Sequence, residues 1–248
     1  MKNIAMRITY VGTNYHGWQY QENGITVQEA VETAIRKTTG APVRVTGCSR
    51  TDAGVHALDY VLNFRSDTKI PLERLPYALN YHLGGDITAI EAWEAEPEFN
   101  ARFSARGKRY VYNIWNHVFK NPFMAGYSWH FPYKLDVERM KKAAAAFVGT
   151  HDFKGFMASG GQQKTTVRTI RVCTAERDEN TPELIKITVE ADSFLYNMVR
   201  IIAGTLADVG TGRLEPEAMA DIIGGGDRRL GGITAPPQGL FLKKVYFD

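Results

Sequence analysis

A chain of 248 residues that is 44% apolar and 23% charged suits one large globular domain or two modest ones, and excludes an intrinsically disordered polymer. Its net charge of +3 permits nucleic-acid binding without demanding it. No run approaches the roughly 18 apolar residues of a membrane helix, Met1-Lys2-Asn3 leads into no signal-peptide core, and two cysteines, Cys48 and Cys173, supply neither a disulfide framework nor a four-ligand metal set; reduced thiols and a cytoplasmic protein are expected.

In chain order, Ile4 to Val11 reads as a strand, followed by a loop with Gly12, Gly17 and Gly24. Thr26-Val27-Gln28-Glu29 then matches a capping box that opens an amphipathic helix to about Thr39. Strands are expected from Val43 to Thr46 and from Ala57 to Phe64, a helix after Pro71 to about His82, and a strand from Ile87 to Trp93. The order βαββαβ is that of a split βαβ, ferredoxin-like unit with a mostly antiparallel sheet.

The rest of the chain reads the same way: a strand from Lys108 to Trp115, a helix from Asp136 to Val148, and strands from Thr165 to Thr174 and Leu184 to Ala191. A helix from Tyr196 to Val209, a short one after Pro216 and a closing strand from Leu240 to Phe247 complete it. No residue-level repeat accompanies this repeat of pattern. The expectation is an α+β protein of two ferredoxin-like halves, residues 1–100 and 101–248, around a central cleft.

Gly47-Cys48-Ser49-Arg50-Thr51-Asp52-Ala53-Gly54-Val55-His56-Ala57 interrupts the strand patterns with an arginine, a carboxylate, hydroxyls and a histidine between glycines. Loops held between strands keep functional groups placed yet exposed, but Asp52 and Gly54 also suit a solvated turn. An arginine beside a carboxylate favours its ionised form, which can act as a nucleophile or base; Gly47 and Gly54 would let a bulky substrate approach the backbone. Asp52, His56 and Asp59 have too few convergent partners for a hard metal site, so no metal is expected and His56 is read as a hydrogen-bonding brace. From Arg102 to Lys120 the chain carries Arg102, Arg106, Lys108, Arg109 and Lys120, without an acid, interleaved with Phe103, Tyr110, Tyr112 and Trp115; Lys164 to Arg171, including Arg168, is also basic and acid-free. Cations for phosphates and flat rings for unstacked bases suit single-stranded RNA.

Gly47 through Ala57 resembles the signature of the tRNA pseudouridine synthase A family, in which Arg-Thr-Asp-Ala-Gly-Val-His surrounds the essential aspartate. Tyr15-His16-Gly17-Trp18-Gln19 and Thr26-Val27-Gln28-Glu29 resemble its amino-terminal blocks. Phe99-Asn100-Ala101-Arg102-Phe103-Ser104-Ala105 through Lys108-Arg109-Tyr110-Val111-Tyr112 resembles its second motif. Asp152-Phe153, Phe194-Leu195-Tyr196-Asn197-Met198-Val199-Arg200 and Gly239-Leu240-Phe241-Leu242 follow in the family's order, so the resemblance spans nearly the whole chain.

The resemblance implies a cofactor-free isomerase that detaches a uridine of the tRNA anticodon stem-loop from its ribose nitrogen bond, turns it and rejoins it through carbon. Asp52 would be the catalytic aspartate, attacking base or ribose or removing a ribose proton. Tyr110 would stack on the target base and assist loss of the proton from its C5 position, Arg200 would pair with the Asp52 carboxylate, and Arg50 would help extrude the nucleotide and occupy the space it leaves. The resemblance also implies a homodimer acting on tRNA, with no membrane and no metal. His16 and Trp18 either contact RNA or pin their loop. Ser49, Tyr60, Asn63, Gly84 and Pro237 depart from the residues usual in the family; Ser49 narrows the freedom of the loop, and Tyr60 and Asn63 alter the strand leaving it.

Overall fold

The protein, described by a computed structural model over residues 1–161 and 164–247, is α+β with mostly antiparallel strand pairing. It divides into two compact units, Met1–Arg106 with the chain from Phe241 onward, and Gly107–Leu240.

The first unit is built from β1 (Lys2–Tyr10), α1 (Val27–Thr39), β2 (Thr46–Gly47), β3 (His56–Ser66), α2 (Leu75–Asn80) and β4 (Ile87–Glu94). β1 lies antiparallel between β3 and β4, with Ile4 opposite Phe64, Met6 opposite Leu62 and Ile8 opposite Tyr60. All six of these side chains are buried, the period-two face that a half-covered sheet requires. α1 starts where the sequence places it: the Thr26 hydroxyl accepts the amide of Glu29 at 3.3 Å. The strand expected at 43–46 shrinks to Thr46–Gly47, because the Val45 amide is spent on the Glu32 carboxylate at 3.0 Å instead of on a neighbouring strand. α2 stops at Asn80, whose amide exchanges two hydrogen bonds with the backbone of Ala89, at 2.7 and 2.9 Å, and so ties the helix end to β4.

The second unit contains β5 (Gly107–Asn116), β6 (Trp129–Phe131), α3 (Val137–Ala145), β7 (Gly149–Asp152), β8 (Val167–Arg177), β9 (Leu184–Ala191), α4 (Met198–Gly210) and α5 (Met219–Gly225). The sheet runs β5-β9-β8-β7, all antiparallel, with β6 parallel beside β5. β6 and β7 are additions to the expected βαββαβ order. The closing strand β10 (Leu240–Tyr246) pairs parallel with β3, Phe241 opposite His56 and Leu242 opposite Ala57, so Phe241 onward belongs with the first unit rather than the second. A pairing to a strand so far upstream leaves no local signal to read.

α3 packs on β8 and α4, and α4 buries Met198, Ile201, Ile202, Leu206 and Val209. Cys173, opposite Val189 in the core of β8, is 7% exposed, and burial pushes its thiol up to about 12. Cys48 is fully buried. Neither thiol should react with a chromogenic disulfide reagent at about pH 8 in the folded protein, while both should react in guanidinium chloride. A full thiol titre in native buffer would contradict this packing.

Candidate active site

In the first unit, the Asp52 loop lies on a platform of three buried rings. Trp18 stacks on Tyr60 with centroids 4.2 Å apart, and Tyr10 lies 5.5 Å from Tyr60 and 6.4 Å from Trp18. Each of these three residues ties down a piece of the loop. The Tyr10 hydroxyl bonds the Thr51 hydroxyl at 2.8 Å, the Trp18 amide donates to the Thr51 carbonyl at 3.0 Å, and the Tyr60 hydroxyl donates to the Ser49 carbonyl. The Cys48 amide bonds the Val61 carbonyl at 2.9 Å where the loop leaves β2.

Asp52 itself sits in a tight turn closed by the Val55 amide on its carbonyl at 3.1 Å, with Gly54 at φ 78 and its amide on the Tyr15 carbonyl at 3.3 Å. Its side chain is part-exposed and that of Arg50 is exposed, whereas Thr51 and Val55 are buried. The loop thus alternates anchors with presented groups.

His56 is 1% exposed, stacks on Phe241 at 4.6 Å and accepts the Gly12 amide on Nδ1 at 3.0 Å. Nδ1 therefore carries no proton, and His56 is the brace expected from the sequence. Asp59 is occupied elsewhere, with Arg7 at 2.9 Å and the Val245 amide at 3.0 Å. Among the described residues no three His, Cys, Asp or Glu side chains gather in a way that could hold a metal ion.

One expectation changes. A Cβ at Gly47 would lie 2.1 Å from the Tyr60 hydroxyl and 2.5 Å from the Trp18 ring, so this glycine makes room for the aromatic platform rather than for a substrate. Trp18 is 4% exposed and pins its loop from within; His16 is exposed.

In the second unit, Tyr110 and Tyr112 point to the same side of β5 but differ in surroundings. Tyr112 is fully buried, donates its hydroxyl to the Pro236 carbonyl at 2.8 Å and, through burial, is held un-ionised far above the ordinary phenol range, although the Arg200 charge pulls the other way. Tyr110 meets Phe194 edge to face at 5.0 Å and keeps 6% exposure. β5 packs against α4, which carries Arg200. The Arg200 Nε donates to the Ala235 carbonyl at 2.7 Å and a terminal nitrogen donates to the Asn197 side-chain oxygen, also at 2.7 Å.

The basic stretches divide by role. Arg109 is paired with Glu190 at 2.7 Å. Arg168 is buried and donates to the carbonyls of Thr165 and Val167 at 3.0 and 2.6 Å, which removes it from the solvent-facing cations that its stretch suggests. Arg102 and Phe103 remain exposed, the guanidinium 5.3 Å from the ring centroid. Their turn is held by the Asn100 side chain, which accepts both amides at 3.0 and 3.2 Å. Beneath it, Asn63 accepts the Ala101 amide at 2.9 Å and donates to Asn3 at 2.9 Å, while Asn3 donates to the carbonyls of Glu96 and Phe99.

A family model for tRNA pseudouridine synthases matches residues 6–104 and 143–248. The chain belongs to the tRNA pseudouridine synthase family. It is 51% identical over 247 residues to the tRNA pseudouridine synthase A of Thermoanaerobacter sp. (strain X514), 46% over 247 residues to that of Acetivibrio thermocellus, and 47% over 247 residues to the tRNA pseudouridine synthase A 2 of Clostridium perfringens. Each match covers all of both chains. Of the departures noted in the sequence, Tyr60 has a use in this family member: its hydroxyl holds the backbone carbonyl of Ser49 in the loop, an acceptor that any residue at that position would offer.

Tyr60→Phe keeps the stacked ring and removes that bond. It should lower the unfolding free energy by about 1–2 kcal/mol in chemical denaturation; an unchanged midpoint and slope would show that the bond contributes nothing net.

Proposed function

We propose that this protein isomerises uridine to pseudouridine in the anticodon stem-loop of tRNA, with Asp52 as its catalytic carboxylate. The carrying observation is the full-length similarity to tRNA pseudouridine synthases, none of it confined to one motif. The reaction breaks the bond from the ribose C1′ to N1 of the base and forms one from C1′ to C5. The C5 proton is lost and N1 gains one, so the product is an isomer and no redox partner is required.

The roles follow the chemistry of the side chains. Asp52 is held on a short, heavily anchored loop, as a carboxylate must be if it is to act without a search through rotamers. Tyr110, rather than the fully buried and bonded Tyr112, is the ring offered to the target base. Arg50 and Arg200 complete the substrate-binding set, Arg50 as the exposed cation of the aspartate loop and Arg200 as a guanidinium oriented from α4. A stem base must leave its stack before its glycosidic bond is reached, at a cost of a few kcal/mol. Exposed pairs of cation and ring such as Arg102 and Phe103 offset that cost by binding phosphate and unstacked base. We extend the proposal to a cytoplasmic homodimer; sedimentation should give twice the 27.8 kDa chain mass at micromolar concentration, and a monomer alone would remove this part.

Incubation with unmodified tRNA transcript, followed by mapping of pseudouridine, should give product at stem-loop uridines, and product should persist in EDTA once the tRNA is folded. Asp52→Asn keeps shape and removes charge: turnover should fall by about a thousandfold or more with tRNA affinity kept within about threefold. Equal product from this variant would overturn the assignment of Asp52.

Tyr110→Phe retains the stacking face. Its Kd for tRNA should hold while kcat falls by about a hundredfold, the scale of a lost proton-transfer group. Wild-type turnover would leave Tyr110 as a stacking residue alone.

A further inference from the structure

Asn197 is the one non-glycine residue with positive φ among the described residues, at φ 60 and ψ 9. It occupies the N-cap of α4. An N-cap residue ordinarily has extended backbone and turns its side-chain oxygen back onto the amide of the second or third helical residue. Asn197 does neither: its backbone is left-handed and its side chain makes no capping bond. The oxygen instead accepts from a terminal nitrogen of Arg200 at 2.7 Å, one helical turn further on. Asparagine enters the left-handed region more readily than other non-glycine residues because its side chain can bond locally, and here the partner of that bond is Arg200 in place of a helix amide.

Arg200 shows what is gained. The bond to Asn197 holds a terminal nitrogen, at the far end of the guanidinium from Nε, and so constrains its orientation. The Ala235 carbonyl takes Nε at 2.7 Å, and the Ala235 amide donates back to the Arg200 carbonyl at 3.1 Å, so backbone and side chain of Arg200 are both tied to the same residue. We infer that Asn197 is a positioning residue, whose side-chain oxygen sets the orientation of the Arg200 guanidinium for the reaction. This rests on the reading of Arg200 as a substrate-site residue given above.

Glycine separates the two reasons for an asparagine at this position. It adopts positive φ without penalty but has no oxygen to offer Arg200. If Asn197 only shapes the turn, Asn197→Gly will be as stable as the wild type and fully active. If it positions Arg200, the variant will be stable but slow.

The experiment compares full-length wild type, Asn197→Gly, Asn197→Asp, Arg200→Ala and the double variant Asn197→Gly/Arg200→Ala on tRNA transcript. Single-turnover pseudouridine formation, tRNA Kd and Tm are read for each. Asn197→Gly should keep Tm and Kd close to wild type while its single-turnover rate falls by about tenfold or more, a loss confined to the chemical phase. Asn197→Asp tolerates the left-handed backbone and keeps an acceptor oxygen, so it should stay within about threefold of wild type. The double variant should be no slower than Arg200→Ala alone, because two residues acting through one group do not add.

A wild-type rate in Asn197→Gly, with Arg200→Ala impaired, would overturn the positioning role and leave the reading of Arg200 intact. A wild-type rate in Arg200→Ala would overturn that reading itself. A loss in Asn197→Asp as deep as in Asn197→Gly would also count against the inference, since the acceptor would then be present without effect.

Discussion

The constraint on which the rest of the first unit depends is that the Asp52 loop, made of small and polar residues, cannot hold itself. Ordering a backbone residue costs about 1–2 kcal/mol, and the segment from Gly47 to Ala57 has no large apolar side chain with which to offset it. Its order is supplied from outside. Tyr10, Trp18 and Tyr60 form a stacked floor, and the polar tips and backbone amides of that floor meet the loop's hydroxyls and carbonyls. An aromatic ring with a polar tip is suited to this, since one end is buried while the other makes a directed bond.

The same economy recurs in the second unit, where successive carbonyls do the holding. Ala235 receives the guanidinium of Arg200 and Pro236 the hydroxyl of Tyr112. Tyr112 is thereby held in the core, whereas the neighbouring Tyr110 meets Phe194 edge to face and keeps slight exposure. The Asn197 bond adds a second constraint to Arg200, at the expense of a helix cap.

Much of this was legible in residue order, and the failures have physical causes. α1 began at its capping threonine and β9 ran from Leu184 to Ala191 as read, because both signals are local: a side chain on its own helix, and an alternation of two. β6 and β7, of three and four residues, are too short to show a period. The strand before Gly47 was overestimated because nothing local reveals that Val45 gives its amide to Glu32. Arg168 looked like a phosphate contact because charge in a sequence carries no depth; its guanidinium is turned inward onto the carbonyls of Thr165 and Val167. Asn197 was read inside a helix starting at Tyr196, because residue type alone does not reveal the left-handed backbone that puts it just ahead of α4.

By itself the sequence determined the family, through a series of blocks in order, and marked the segments proposed to carry its chemistry: the polar loop of Asp52, the cation-and-ring stretch from Arg102 and the helix bearing Arg200. These follow from residue type and short-range period, which need no knowledge of distant partners. Tertiary structure alone decided what each neighbour is for. It made Gly47 the space for a tyrosine and an indole and Trp18 a floor, gave the closing strand to β3, and turned the side chain of Asn197 toward an arginine. Those assignments rest on hydrogen bonds and contacts between residues far apart in the chain or on a backbone angle, quantities that composition and periodicity do not encode.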